Sequence, residues 1–88
     1  MKRKADFLLR NVADTWVVVP VGAAAADFPG MLTLNDTGRF LWELLEQEQT
    51  VESLVCALTQ RYEVTADQAA ADVHKFLKPL LEISAVAE

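Results

Sequence analysis

The spacing of apolar residues changes near residue 35. Before that point, apolar residues come in short, β-branched runs that Pro and Gly interrupt, and after it they recur at helical spacing. The runs predict strands over Phe7–Val12 and residues 16–19, because branched and aromatic side chains suit a pleated surface. Residues 31–34 alternate apolar and polar side chains, which predicts a third short strand.

Three helices are predicted beyond this strand, each preceded by a capping side chain. Asn35, Asp36 and Thr37 are good N-cap residues for a helix over residues 36–46. Thr50 caps a second helix, and Thr65 with Gln68 matches the capping box of a third. The apolar face of the first helix is predicted to carry Phe40, Leu41, Leu44 and Leu45. The stripe of the third is Ala66, Ala69, Ala70, Val73, Phe76, Leu77, Leu80 and Leu81.

The segments between and after these elements carry weaker signals. The four alanines of residues 23–26 are predicted to lie in a loop, and residues 28–31 match a type II turn. The tail from residue 83 has no cap and is predicted to be loose. The resulting fold class is α+β. A three-stranded antiparallel sheet precedes a winged-helix-like three-helix bundle, and residues 1–88 form one domain.

Charge is distributed unevenly along the chain. Residues 1–10 hold Lys2, Arg3, Lys4 and Arg10 against Asp6, a formal charge of +3; since the whole chain carries −5, the remainder carries −8. An acidic body repels a phosphate backbone, so we expect no nucleic-acid partner. A basic peptide or protein is easier to accommodate.

The cysteine content and the hydropathy of the chain indicate its cellular compartment. With Cys56 alone, no intrachain disulfide or zinc knuckle can form, and one unpaired cysteine suits the cytoplasm. No apolar run reaches the length of a membrane span, so no membrane partner is expected. The basic start and later alanines resemble a signal peptide only superficially, because Asp6, Arg10 and Asp14 lie between the basic start and the apolar run.

Candidate catalytic chemistry is sparse. His74, the only histidine, is predicted to be solvated, and Cys56 is expected to be a small buried hydrophobe beside the second helix's stripe. The acidic residues match no calcium loop or metal pair, and the three glycines are too far apart for a phosphate loop. We therefore expect a protein that is not an enzyme, with no cofactor and no metal.

The predicted sheet itself offers a different activity. A sheet of three strands has exposed edges, and an edge strand presents unpaired N–H and C=O groups to an extended peptide. If the third strand lies at an edge beside the third helix, a peptide can add there as a fourth strand. The alternative is a short, blunted edge with no ligand.

Five stretches of the chain together match the pattern of a known family. The stretches are residues 34–38, 40–45, 50–54, 62–64 and 72–77. They resemble the PqqD-like proteins. The first two are similar to that family's Leu-Asn-x-Thr segment and the Trp-x-Leu-Leu helix that follows it. The others resemble its entry to the second helix, its Tyr-x-Val turn and its Asp-Val-x-x-Phe-Leu helix.

The resemblance implies a recognition element for ribosomally made, post-translationally modified peptides (RiPPs). Such a protein binds the leader of a precursor peptide as an added strand. It then presents the peptide, like a chaperone, to a radical S-adenosylmethionine (SAM) enzyme, as in pyrroloquinoline quinone (PQQ) biosynthesis. Carried onto this sequence, the peptide-binding residues are Met31, Leu32, Thr33, Leu34, Ala69, Asp72, Val73 and Phe76. For Val73 and Phe76, packing in the core is the alternative.

Two other functions remain open. The second and third helices also match a winged helix-turn-helix regulator that binds DNA. Against it, residues 66–72 at the start of the third helix hold Asp67 and Asp72 and no cation. The other is a structural or oligomerisation domain, with a homodimer formed through an exposed strand or the N-terminal segment.

Overall fold

The computed structural model describes residues 1–27 and 30–87. The elements in chain order are β1 (Lys2–Arg3), β2 (Phe7–Val12), β3 (Thr15–Pro20), α1 (Ala23–Asp27), β4 (Leu32–Leu34), α2 (Asp36–Leu44), α3 (Val51–Arg61), α4 (Ala66–Glu82) and β5 (Val86–Ala87). Strands β2, β3 and β4 form an antiparallel sheet in that order, and β1 pairs with β5 in a second, two-stranded sheet. The predicted α+β class with a three-stranded antiparallel sheet is confirmed.

A two-residue turn joins β2 to β3. Ala13 and Asp14 both have positive φ, 51° and 64°, and they link Val12 to its cross-strand partner Thr15. Positive φ at both central residues is the mark of a type I′ turn, whose twist matches that of the flanking strands. The turn closes on a hydrogen-bonded pair and so fixes the register of the hairpin.

That register determines where each backbone group points. Hydrogen-bonded and non-hydrogen-bonded pairs alternate along an antiparallel ladder, so Arg10 and Val17, two residues from the closing pair, are again hydrogen-bonded to each other. The Val21 N–H donates to the Asp6 carbonyl at 2.7 Å, which fits the same alternation. Every second residue of β2 therefore directs its N–H and C=O away from β3.

The helices start where their capping side chains predict. Asn35 Oδ1 accepts from the Gly38 N–H at 2.8 Å, and Thr50 and Ser53 form a reciprocal capping box. Thr65 caps α4 through the Gln68 N–H. The predicted box at Thr65 is only half formed, because the Gln68 side-chain amide donates instead to Asp72.

One core joins the sheet to the three longer helices. Val18 of the central strand is fully buried against it, and α2 contributes Leu41 and Trp42, followed by its C-cap residue Leu45. Trp42 was not part of the predicted face, whereas the predicted Phe40 and Leu44 are only partly buried. The α4 residues in this core are Ala69, Val73, Leu77 and Leu80.

The N-terminal residues explain the burial of Trp42. The Arg3 N–H donates to the Leu45 carbonyl at 2.9 Å, and its guanidinium donates to the Trp42 carbonyl at 3.1 Å. The same guanidinium lies 5.5 Å from the centroid of the Trp42 ring. Residues that carried only a charge signal in the sequence therefore cover one side of α2.

Two local predictions differ from the structure, and a third lies partly outside the described residues. The alanine-rich segment is helical in α1, in keeping with the high helix propensity of alanine. The predicted loose tail is ordered through Ala87, since β5 pairs with β1 and both Ala85 and Val86 are buried. The turn predicted over residues 28–31 rests partly on residues outside those described.

No helix within residues 1–27 and 30–87 combines the length and apolar character needed to cross a bilayer.

The left-handed turn predicts an unusual effect of glycine. Ala13→Gly should raise the free energy of unfolding by about 0.5 kcal/mol, because relief of left-handed strain exceeds the added entropy of the unfolded chain. The matched control Ala71→Gly, at an exposed position within α4, should lower it by about 1 kcal/mol. Urea denaturation measures both values, and equal losses at the two positions would contradict a left-handed turn.

Because the C-terminal tail is buried, truncating a side chain in it should lower the stability of the fold, whereas in a loose tail it would not. Val86→Ala should lower the free energy of unfolding by about 1–2 kcal/mol, because Val86 is only 4% exposed. Val12→Ala is the control: this side chain is 54% exposed, and its loss should cost no more than about 0.5 kcal/mol. Thermal or urea denaturation distinguishes the two, and an unchanged stability of the Val86 variant would mean that β5 does not hold the tail.

Candidate functional site

A groove of about 240 Å³ runs between β4 and α4. The strand and the capped start of α2 form one wall, and one face of α4 forms the other. From the first wall the lining residues are Leu32, Thr33, Leu34, Asn35, Thr37 and Gly38; from α4 they are Asp72, Lys75, Phe76, Pro79 and Leu80.

The strand in this wall is an edge strand with one open side. On β3, Trp16 and Val18 direct their backbone groups toward β4, where they pair with Leu34 and Leu32. Thr33 lies between those two pairs, so its N–H and C=O point away from the sheet and toward the open edge. An extended chain laid along β4 would meet this donor and this acceptor.

Apolar side chains form the base of the groove. Leu32 and Leu34 are half-buried and pack on the core, and Phe76 does the same from α4. Leu80 is fully buried beneath them. The groove therefore places an open strand edge beside an apolar surface, and strand-addition sites combine these two features.

The polar residues of the α4 wall carry both signs of charge. Asp72 accepts a hydrogen bond from the Gln68 side-chain amide at 2.9 Å, so its carboxylate is held in place. Lys75 is exposed, and the structure records no ion pair for it among residues 1–27 and 30–87. Each can meet an opposite charge on a bound chain.

The junction of β4 and α2 keeps the strand wall in place. Gly38 is buried, and a Cβ built on it would lie 3.3 Å from Asn35 Oδ1 and 3.4 Å from Leu34 Cβ. A residue without a side chain lets the first turn of α2 approach the end of the strand closely. Further along α2, the Arg39 guanidinium lies 4.4 Å from the centroid of the Trp16 ring and ties the helix to the sheet.

Five of the eight residues assigned from the family resemblance line the groove: Leu32, Thr33, Leu34, Asp72 and Phe76. Their role in binding a peptide stays a prediction. The other three do not line it. Met31 precedes the strand and is 58% exposed, whereas Ala69 and Val73 are fully buried in the core. A chain lying in this groove would not touch the side chains of Ala69 and Val73.

Sequence reasoning missed several lining residues. Lys75, Pro79 and Leu80 follow Asp72 at helical intervals of three, seven and eight residues, so the spacing alone places them on the same face. The sequence places Leu80 only in the apolar stripe. It predicts capping or family-pattern roles for Asn35, Thr37 and Gly38, and no sequence signal places them beside α4.

The groups considered for catalysis lie away from this groove. His74 is exposed, as predicted. Cys56 is also exposed, so its assignment as a buried hydrophobe is wrong; the stripe of α3 buries Leu54 and Leu58 on another side. In the part of the chain that the structure describes, no three His, Cys, Asp or Glu side chains cluster as a metal site would require.

Comparison with solved structures gives a match over almost the whole chain. The structure described as "TbiB1 in Complex with the TbiA(beta) Leader Peptide" is similar with a TM-score of 0.74 and 22% sequence identity. The match covers 97% of this chain and 93% of the other. At that identity the similarity shows a shared fold.

The family comparison covers most of the sequence. Among curated proteins, none matches this chain significantly. The model of the family described as "Coenzyme PQQ synthesis protein D (PqqD)" matches residues 15–85, from the start of β3 to the end of the turn after α4. With well over half of its length matched, this protein belongs to the PqqD family.

Proposed function

We propose that this protein binds the leader segment of a ribosomally made precursor peptide, which adds as a fourth strand beside β4. The observation that carries the proposal is the open edge of β4, where the backbone groups of Thr33 face an apolar groove. Membership of the PqqD family supports it, as does the shared fold with a protein that was solved with its leader peptide.

In this proposal the β4 wall and the α4 wall of the groove contact different parts of the leader. The leader exchanges backbone hydrogen bonds with Thr33, and its inward side chains pack on Leu34 and Phe76. Asp72 and Lys75 meet charged side chains of the leader and select among sequences. The core beneath the groove already exists in the free protein, which lowers the cost of ordering on binding.

We further propose that the protein works without catalysis or cofactor. It presents the bound precursor to a radical SAM enzyme in the cytoplasm, in the biosynthesis of PQQ or a related peptide-derived product. The family description, which names coenzyme PQQ synthesis, supports this assignment.

The proposal predicts a local pattern of NMR shift changes. The neighbourhood of the gene is searched for short reading frames, and synthetic peptides with their sequences are titrated into the labelled protein. Amide shifts should move in β4 and along the groove-facing residues Asp72, Lys75 and Phe76 of α4. Shift changes confined to residues 2–4 would contradict the proposal, because those residues lie outside this groove.

A second prediction isolates the backbone of Thr33. Thr33→Pro removes the outward N–H and should weaken leader binding by about tenfold, since one hydrogen bond is lost and the ring obstructs the incoming strand. No bond within the sheet depends on that N–H, so the fold should persist, as circular dichroism checks. Thr33→Val is the matched control, because it keeps the N–H and a similar shape. Equal affinities of the two variants by isothermal titration calorimetry would rule out strand addition at this edge.

A further inference from the structure

The opposite edge of the sheet is also open, and it is longer. Strand β2 ends the order β2–β3–β4 and has six residues, against three in β4. A groove of about 710 Å³ lies along it, between β2, residues 2–5 and the loop at Glu46 and Gln47. This second groove does not share a lining residue with the groove beside α4.

The register of the hairpin shows which backbone groups face this edge. Arg10 is hydrogen-bonded to β3, so its neighbours Leu9 and Asn11 direct N–H and C=O outward. Two donor–acceptor pairs, two residues apart, are the repeat that an added strand engages.

The charge around this edge is opposite to that of the rest of the molecule. Lys2, Lys4 and Arg10 line the groove and are exposed, and no ion pair is recorded for them within the described residues. Arg3 is already engaged, by the Trp42 carbonyl at 3.1 Å and by Glu46 at 3.9 Å. Three cations thus surround an open strand, on a chain whose net charge is −5.

We propose that the β2 edge docks an acidic, extended segment of a partner protein as an added strand. Its backbone pairs with Leu9 and Asn11, and its carboxylates meet Lys2, Lys4 and Arg10. Since the leader groove lies at the other end of the sheet, the two sites can be filled at once. The protein then bridges a peptide on one edge and a partner on the other.

Charge complementarity selects this occupant over two others. A second copy that paired β2 with β2 would bring the two copies' cations around one seam, where like charges repel. A nucleic acid would meet the three cations, but it cannot use the outward N–H and C=O groups as a strand does, and the acidic body repels it. An acidic polypeptide can pair with the three cations and can also form hydrogen bonds with the outward N–H and C=O groups of β2.

The test uses a capped peptide of about eight residues in which Glu alternates with Val, the period of a strand. Binding should shift the amides of Leu9 and Asn11 and should weaken as salt is raised. The double variant Lys4→Glu, Arg10→Glu should bind at least about fivefold more weakly. Control variant Lys78→Glu, in which an exposed α4 cation outside both grooves is reversed, should bind as the unchanged protein does.

Three results of the binding test would overturn the proposal: equal binding of a Lys–Val peptide, equal binding of an oligothymidylate, or shifts at Thr33 in place of Leu9 and Asn11. Dimerisation of the free protein through β2, seen by sedimentation, would assign the edge to a second copy. Leader binding at β4 provides an independent readout. The double variant should retain it, so a failure at β2 leaves the leader site untouched.

Discussion

The two-residue turn at Ala13 and Asp14 determines which backbone groups the sheet leaves unpaired. A turn of this length permits one register only, and a shift of one residue would exchange every inward and outward group. With the closing pair at Val12 and Thr15, the groups left open are those of Leu9 and Asn11 on one edge and Thr33 on the other. Both edges proposed here to bind a peptide therefore depend on a turn that lines neither groove.

Helix α4 has to serve two surfaces at once. Its inward face supplies Ala69, Val73, Leu77 and Leu80 to the core, and the adjoining face supplies Asp72, Lys75, Phe76 and Pro79 to the groove. Leu80 belongs to both sets, so the base of the groove is also part of the core. A rigid, close-packed core beneath the groove fixes the positions of the residues that line it.

Local signals were enough to predict much of this fold. Branched runs located β2 and β3, and the capping residues Asn35, Thr50 and Thr65 located the starts of the longer helices. The pairing of β1 with β5 was missed because two-residue strands are too short to show a period. Burial of Trp42 was missed for a related reason, since the groups that cover it are distant in sequence.

The candidate site was predicted less completely than the fold. Helical spacing places Ala69, Val73 and Phe76 on one broad apolar face of α4. It does not show which part of that face packs in the core and which part lines the groove. That boundary depends on how the helices cross, which no single helix encodes. The groove-lining residues of β4 were easier to predict, because every residue of this three-residue edge strand lies beside the groove.

The pairing of β1 with β5 also has a consequence for architecture. Lys2 is the cross-strand partner of Ala87, so the chain enters and leaves the fold as neighbouring strands, about 5 Å apart. A unit with adjacent ends can be inserted into a loop of another protein, or have its ends joined and new ones opened elsewhere, with little distortion of either partner.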